Sequence, residues 1–295
     1  IVPPYRNFNV NYASLITLLS RSGKVKASET IMKLMDRMRN DHGFEPSDEM
    51  YTALVAALGR KSSVQAAKHA QRLWEDLSSR GNADVRAYVA IMYAWMNSGH
   101  PDAIDYVEET FAKLMSDANF NADLKPNKAA YRALLEAWAK AGRKEGMARA
   151  LEIVEAVETK VKEGSIADDG PDARFYTAAM RAIWKSKVKD SHTVVESVYD
   201  RLVAASEASP FDMDLKPDAV ALTVVLQAWS SSIDSQKARE VWNKWRDMLL
   251  EFEHGNLLMK PTPVAAAAVL HACTYTAVNK GNEVRLEAVD IALEL

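Results

Sequence analysis

The feature that most constrains this chain is a short junction that recurs along its length. At five places a proline is followed directly by a small polar residue that opens an apolar-patterned, helix-like segment. Proline cannot continue a preceding helix, and Ser, Thr, Asn and Asp cap a new helix by accepting from its free backbone N–H groups. The five junctions are Pro46-Ser47, Pro126-Asn127, Pro171-Asp172, Pro217-Asp218 and Pro261-Thr262, and a sixth, Ala83-Asp84, keeps the cap without the proline.

The segment after each junction also repeats. A tyrosine stands at the fourth place of the helix in Tyr51, Tyr88, Tyr131 and Tyr176, and a second amphipathic helix follows after a short break. In three copies an Ala-Trp pair closes the first helix: Ala94-Trp95, Ala137-Trp138 and Ala228-Trp229. Repeats that start near residues 9, 48, 85, 128, 173, 219 and 263 are spaced by 37 to 46 residues, and the last is incomplete.

This repetition predicts the fold class. A single helical hairpin cannot bury its own apolar face, whereas stacked hairpins share a continuous core. At 295 residues the chain is also longer than one ordinary hydrophobic core supports. We therefore predict an all-α protein, a single right-handed α-solenoid of about seven helix-turn-helix repeats over residues 1–295.

Signals for catalysis are weak. The chain has no Gly-rich phosphate loop, no His-Glu metal helix and no nucleophile elbow. Its six histidines are scattered, and its one cysteine, Cys273, sits in an apolar run where we expect a small core residue. No apolar stretch approaches the length of a membrane span. These observations predict a binding protein that is not an enzyme and uses no cofactor or metal.

The junctions resemble those of the pentatricopeptide-repeat (PPR) family. The resemblance is carried by Lys216-Pro217-Asp218, by residues 125–135 (KPNKAAYRALL), by residues 140–142 (KAG) and by residues 75–81 (EDLSSRG). It covers residues 9–295 and is strongest in the third to sixth repeats. The resemblance implies a concave groove, built by the first helices, that binds single-stranded RNA in an organelle.

The resemblance also implies which residues would contact RNA bases. In the family, one reader follows the helix-start tyrosine and the other closes the repeat just after the proline. The pairs in this chain are Ala13 with Ser47, Thr52 with Asp84, Val89 with Asn127, Arg132 with Asp172, Thr177 with Asp218, and Thr223 with Thr262. The base-reading candidates are Thr52, Asp84, Asn127, Asp172, Thr177, Asp218, Thr223 and Thr262.

Two of these pairs, Thr52 with Asp84 and Thr177 with Asp218, match the family pattern that favours guanine. Ala13 and Val89 cannot form side-chain hydrogen bonds, and Arg132 departs from the pattern. The family also sandwiches bases with a small aliphatic residue early in the first helix. Val10, Val220 and Val264 fit that role, whereas Glu49, Arg86, Ala129 and Arg174 do not.

Charge is distributed unevenly along the chain. The first-helix segments carry eleven basic and three acidic residues, a net charge of +8, although the whole chain has a net charge of −3. A basic groove on an acidic back would produce this pattern, and phosphate neutralisation dominates nucleic-acid affinity. The alternative is a solvated helix face whose long side chains cover apolar surface. The phosphate-contact candidates are Arg21, Arg60, Lys140, Arg174, Arg181 and Lys185.

Two functions follow from these features. The first is an organellar RNA-binding adaptor that acts in RNA processing, stability or translation. The alternative is a protein–protein interaction scaffold within a large organellar or ribonucleoprotein assembly, without sequence-specific RNA reading. Either would be a soluble protein of the mitochondrion or plastid whose targeting peptide lies outside this chain.

Overall fold

The computed structural model describes residues 5–24, 26–163, 170–279 and 289–291, and these residues form α-helices, turns and no strand. The first helices of successive hairpins are α1 (Tyr5–Arg21), α3 (Asp48–Leu58), α5 (Val85–Ser98), α7 (Lys128–Ala141), α9 (Ala173–Lys185), α11 (Ala219–Ser230) and α13 (Pro263–Asn279). The second helices are α2 (Ala27–His42), α4 (Val64–Ser79), α6 (Ala103–Asp117), α8 (Gly146–Lys162), α10 (Ser191–Ala208) and α12 (Lys237–Glu253). The all-α prediction is confirmed.

Six first helices begin at the residue where the sequence analysis starts a repeat: Asp48, Val85, Lys128, Ala173, Ala219 and Pro263. The first helix instead begins at Tyr5, four residues ahead of the expected Asn9. The predicted second helix of the incomplete last repeat falls mostly outside the described residues. No helix among the described residues is long and apolar enough to cross a membrane.

The chain divides into two compact units, unit 1 (Ile1–Ala137) and unit 2 (Trp138–Leu295). In unit 1, α3 packs against α1 and α5, while α2 and α4 each pack against the first helix of their own hairpin and that of the next. In unit 2, α11 packs in the same way against α9 and α13, with α10 and α12 on the other side. Each unit therefore has a layer of first helices and a layer of second helices, the hairpin stacking of an α-solenoid.

Five of the six junctions cap the first helices as their residue types require, whereas the Ser47 side chain makes no capping hydrogen bond to α3. The Asp84 carboxylate accepts from the backbone N–H of Ala87 at 2.9 Å, and Asp172 and Asp218 accept in the same way at 2.7 and 2.8 Å. Asn127 and Thr262 cap α7 and α13 at 3.1 and 3.2 Å. Each such bond satisfies one of the unpaired N–H groups of a helix start.

The closing tryptophans join neighbouring hairpins. Trp95 is 2% exposed and donates its indole N–H to Gln71 on the preceding second helix at 2.8 Å. Trp229 donates to Glu196 at 2.9 Å, again on the preceding second helix. Each ring therefore fills apolar space, and its N–H fixes the register between two hairpins.

The helix-start tyrosines and the cysteine belong to the core. Tyr88 and Tyr176 are 1% and 2% exposed, and their hydroxyls donate to Asp117 and Glu158. Cys273 is 1% exposed, and burial raises its pKa to about 11, so its expected role as a core residue is confirmed. At Gly59 an added Cβ would lie 3.1 Å from the Ala90 carbonyl oxygen, so a glycine is what lets α3 and α5 approach closely.

Candidate nucleic-acid interface

The exposed side of the first-helix layer is the candidate interface, and we call it the first-helix face. Counted from each repeat start, it carries the second, fifth, ninth and thirteenth residues, which share one side because their spacing follows the helical period. In α3 and α11 the thirteenth residue lies past the end of the helix. On α9 these are Arg174, Thr177, Arg181 and Lys185. Each unit presents its own first-helix face, and the two faces differ in charge.

The repeat-closing candidates lie at the edge of this face, where each caps a helix. All five, Asp84, Asn127, Asp172, Asp218 and Thr262, are half-buried. The second carboxylate oxygen of Asp84 is taken by Arg86 Nε at 2.6 Å. For Asp172 and Asp218 no other donor among the described residues reaches the carboxylate, so one oxygen of each can accept from a ligand.

The fifth-place threonines are not equivalent. Thr177 and Thr223 are only 6% and 7% exposed. Their hydroxyls donate to the carbonyls of Ala173 and Ala219, one helical turn back, at 2.7 and 2.5 Å. Thr52 is half-exposed and its hydroxyl has no partner among the described residues. In each of the two pairs that match the guanine pattern, only one side chain can still bond to a base. Thr52 is available but Asp84 is bound by Arg86, and Asp218 is available but the Thr177 hydroxyl is bonded to its own helix.

Three of the cations in the first-helix segments of unit 1 are paired with carboxylates. Arg86 lies 3.8 Å from Glu49 in addition to its bond to Asp84, and Arg132 lies 3.6 Å from Glu136. The Asp84 hydrogen bond and charge raise the pKa of Arg86, so it stays fully charged. Lys61 pairs with Glu29 at 3.1 Å. These pairs leave less free positive charge in unit 1 than a count of its basic residues suggests.

Tyr93, on the first-helix face of unit 1, also bonds to one of these carboxylates. The Tyr93 hydroxyl donates to Glu136 at 3.0 Å, and burial followed by the Glu136 charge raises the Tyr93 pKa to about 12. Beside it lies a hollow of about 320 Å³ between α3 and α5, with Arg60 at its edge. Arg60 and Arg21 are exposed, and no acidic residue in the described parts of the chain pairs with either.

Unit 2 presents a different first-helix face. Arg174, Arg181 and Lys185 are all exposed on α9, and no described carboxylate pairs with any of them. Their spacing of seven and four residues places them within about 40° of one another around the helix, and about 16 Å from end to end. We call these three residues the α9 stripe. Lys140 is exposed on α7, and Lys187, two residues after the end of α9, is exposed with a φ of 55°.

An aromatic side chain borders the stripe. Trp184 donates its indole N–H to the Ser231 hydroxyl at 3.3 Å, and Lys185 Nζ lies 3.9 Å from the centre of the indole ring. These contacts hold the Trp184 ring between α9 and the end of α11. In the sequence, Ala182-Ile183-Trp184 is a near match to the Ala-Trp pair of the other first helices, and the place of Trp184 next to Lys185 could have indicated this contact.

The residues at the second place of each repeat, where the resemblance implies a side chain that sandwiches a base, are of two kinds. Val220 and Val264 are 46% and 52% exposed, as expected for side chains that could sandwich a base. Glu49 and Arg86 are also exposed but are paired with each other. The side chain of Val10 lies outside the described residues. Among the described residues no group of three His, Cys, Asp or Glu side chains could hold a metal ion.

Comparison with known proteins points to one family. A pentatricopeptide repeat-containing protein of Arabidopsis thaliana is 40% identical to this chain over 57 residues, which is 19% of this chain and 8% of that protein. A putative pentatricopeptide repeat-containing protein of the same plant is 27% identical over 109 residues, 37% of this chain and 16% of that protein. The chain thus aligns with less than a fifth of either relative. No family model matches it.

Among solved structures, the pentatricopeptide repeat protein PPR10 from maize aligns with 95% of this chain and 40% of its own, at 16% identity and a TM-score of 0.49. PPR10 in complex with an 18-nt psaJ RNA element aligns equally well. Similarity at this level adds no weight to fold or function. The capped junctions at fixed repeat positions, the stacked helical hairpins and the two curated relatives make this chain similar to pentatricopeptide repeat-containing proteins.

Proposed function

We propose that this protein binds single-stranded RNA on its first-helix face and that the α9 stripe supplies most of the electrostatic attraction. The observation that carries the proposal is the exposure of Arg174, Arg181 and Lys185 on one side of one helix without a carboxylate partner among the described residues. Similarity to pentatricopeptide repeat-containing proteins supports RNA as the ligand.

The physical reason lies in the counterions of the nucleic acid. Each phosphate neutralised by Lys or Arg releases condensed counterions, and this release drives association. A cation already paired with a carboxylate, such as Arg86 or Arg132, must first give up that partner. The unpaired α9 stripe can therefore contact phosphates at a lower energetic cost than the first-helix face of unit 1.

The base-reading candidates support only a weak sequence preference. Asp172 and Asp218 keep an oxygen that could accept from a base, and Trp184 offers a ring beside the phosphate contacts. Thr177 and Thr223 are buried and bonded to their own helices. We therefore propose binding driven by phosphate contacts, with a modest contribution from base recognition by Asp172 and Asp218.

We further propose that the biological role is that of a binding adaptor in organelle RNA processing, stability or translation. This part rests on the similarity to pentatricopeptide repeat-containing proteins alone. The geometry of the first-helix face contributes to it only by offering a binding surface. The described residues that line this face include cations, threonines, valines and one tryptophan, a set suited to holding a strand.

The test is fluorescence anisotropy with a labelled single-stranded RNA of mixed sequence. We expect Arg174→Glu/Arg181→Glu/Lys185→Glu to weaken binding at least about tenfold near physiological salt, because three phosphate contacts become repulsive. The matched control is Arg72→Glu/Lys162→Glu/Arg246→Glu, which makes the same charge change at exposed positions on α4, α8 and α12. Equal loss in both variants would contradict the proposal, because it would indicate a net-charge effect.

A further inference from the structure

The second-helix side of unit 2 exposes large apolar side chains at two successive inter-repeat loops. Between α10 and α11, Phe211 is 97% exposed and Met213 is 68% exposed. Between α12 and α13, Leu257 and Leu258 are 78% and 42% exposed. These side chains form no part of the core, and exposed apolar clusters of this kind typically mark interaction sites.

Each loop contains a short 3-10 turn that uses only its last residue for packing. The turn Met213–Leu215 buries Leu215 at 9% exposure, and the turn Leu257–Met259 buries Met259 at 8%. Both turns are capped by a side-chain oxygen, from Asp212 and Asn256, so the backbone is well defined without the exposed residues. Folding therefore does not explain why Met213 and Leu258 are apolar.

A cleft of about 580 Å³ lies between these loops and the adjoining ends of α10 and α12. Tyr199, Val203, Met213 and Leu258 form its apolar lining, and Glu251 and Lys216 supply charged groups. The Tyr199 hydroxyl has no hydrogen-bond partner among the described residues. An apolar cleft with a free hydroxyl and an exposed apolar border suits an inserted side chain of a larger partner.

The surroundings of the cleft are acidic. Burial, followed by the charges of Asp218, Asp200 and Glu251, raises the Tyr199 pKa to about 12, so three carboxylates lie close around it. Further exposed carboxylates stand in the same segments, at Glu207, Asp212, Asp214 and Glu253. No cation among the described residues forms an ion pair with any of these seven groups. The rim would repel RNA phosphates and attract positive charge.

We propose that this acidic-rimmed apolar cleft docks an amphipathic, lysine- and arginine-rich segment of a partner protein. A leucine or aromatic side chain of the segment enters between Met213 and Leu258, and its basic residues face Asp200 and Glu251. Apolar contact supplies affinity, while charge complementarity selects a basic segment over an acidic one. The cleft is lined by residues of α10, α12 and the loops that follow them, whereas the α9 stripe lies on a first helix, so substitutions at Met213, Leu258, Asp200 and Glu251 leave the stripe intact.

The experiment uses the full chain and a fluorescein-labelled helical peptide of about 18 residues, or five turns, with Leu and Trp on one face and Lys on the other. A second peptide replaces every Lys by Glu. We expect the basic peptide to bind at least about tenfold more tightly than the acidic one. We also expect Met213→Ser/Leu258→Ser to weaken its binding at least about tenfold, since the anchor site is lost.

A second variant tests the charges separately. Asp200→Lys/Glu251→Lys is expected to reverse the preference between the two peptides without changing the apolar lining. The matched controls are Ile233→Ser, at an apolar residue 67% exposed in another loop of unit 2, and Glu155→Lys, at an exposed position on α8. Both controls should bind the basic peptide as the unsubstituted protein does.

Three results would overturn the proposal. One is equal binding of the basic and acidic peptides, and another is binding that the cleft variants leave unchanged. The third is self-association in analytical ultracentrifugation that Met213→Ser/Leu258→Ser abolishes, which would assign the cleft to a second copy of this chain. RNA binding measured on the same variants keeps the two proposals apart, because it should remain unchanged.

Discussion

The Tyr93 hydroxyl donates a hydrogen bond to Glu136 Oε2, 3.0 Å away, from one first helix of unit 1 to the next. Arg132 lies 3.6 Å from the other oxygen of the same carboxylate. The three side chains therefore form a network on the first-helix face whose net charge is zero. This arrangement explains why a basic residue such as Arg132, placed by sequence at a base-reading position, is not free to contact a ligand.

Removing the charge of Glu136 should strengthen RNA binding. Glu136→Gln keeps an acceptor for Tyr93 but frees Arg132 and removes a carboxylate that repels phosphate. We expect the dissociation constant to fall by about two- to threefold at low salt, as is typical for one charge at an interface rim. The effect should fade above physiological ionic strength because such charges are screened.

The control for this substitution is Glu109→Gln, at an exposed position on the second helix α6. Anisotropy with the same RNA should show no change for the control. If Glu136→Gln binds RNA as the unsubstituted protein does, then the first-helix face of unit 1 does not contact the strand.

A buried lysine stabilises the turn between α11 and α12. Lys237 is 1% exposed, and its ammonium group donates to the carbonyl oxygens of Ser230 and Ser232 at 3.2 and 2.8 Å. Lys237→Met leaves these carbonyls without that donor and should lower the free energy of unfolding by about 1–3 kcal/mol. The urea midpoint followed by circular dichroism measures the change. Lys162→Met, at an exposed lysine on α8, should leave the midpoint where it is.

The closing tryptophan of the sixth repeat should contribute through its N–H as well as its ring. Trp229 is 9% exposed and donates to Glu196, which also accepts from Lys244. Trp229→Phe keeps an aromatic ring but removes the donor to a charged acceptor, and we expect a loss of about 1.5–3 kcal/mol. Trp184→Phe, whose partner is the exposed Ser231, should cost much less in the same denaturation assay.

The thiol of Cys273 should be unreactive in the folded protein. Burial raises its pKa from 9.0 to about 11, so at pH 8 the thiol is protonated in the native state to a greater extent than in the unfolded chain. Because the thiolate is the reactive form, labelling with a thiol reagent should be slow at pH 8 and accelerate only as the pH approaches 11 or when urea is added. Rapid labelling at pH 8 without denaturant would be inconsistent with a buried Cys273.

Local features of this protein were predictable from its residues. Asp84, Asp172 and Asp218 cap the helices that follow them because an N-cap depends only on a side chain and the next few backbone N–H groups. Tyr88 and Tyr176 stand at a fixed place in the helix and are buried in both copies. The burial of such positions follows from helical periodicity, which can be read directly from the spacing of apolar residues in the sequence.

The exposure and the ion pairing of the candidate site residues could not be predicted from the sequence in the same way. Thr52 and Thr177 occupy equivalent places, yet the first is half-exposed and the second buried, because neighbouring helices decide exposure. Arg86 pairs with Glu49, a residue of the preceding repeat. The Arg132 and Glu136 pair could have been found, since a spacing of four residues places both side chains on one side of a helix.

The α9 stripe is tested most directly by the salt dependence of RNA binding. Each phosphate contact to a single strand contributes about −0.7 to the slope of log K against log salt concentration. Arg174→Gln/Arg181→Gln/Lys185→Gln, which removes the charges without reversing them, should therefore reduce the magnitude of that slope by about 2. An unchanged slope in this variant would contradict the claim that the α9 stripe contacts the RNA backbone.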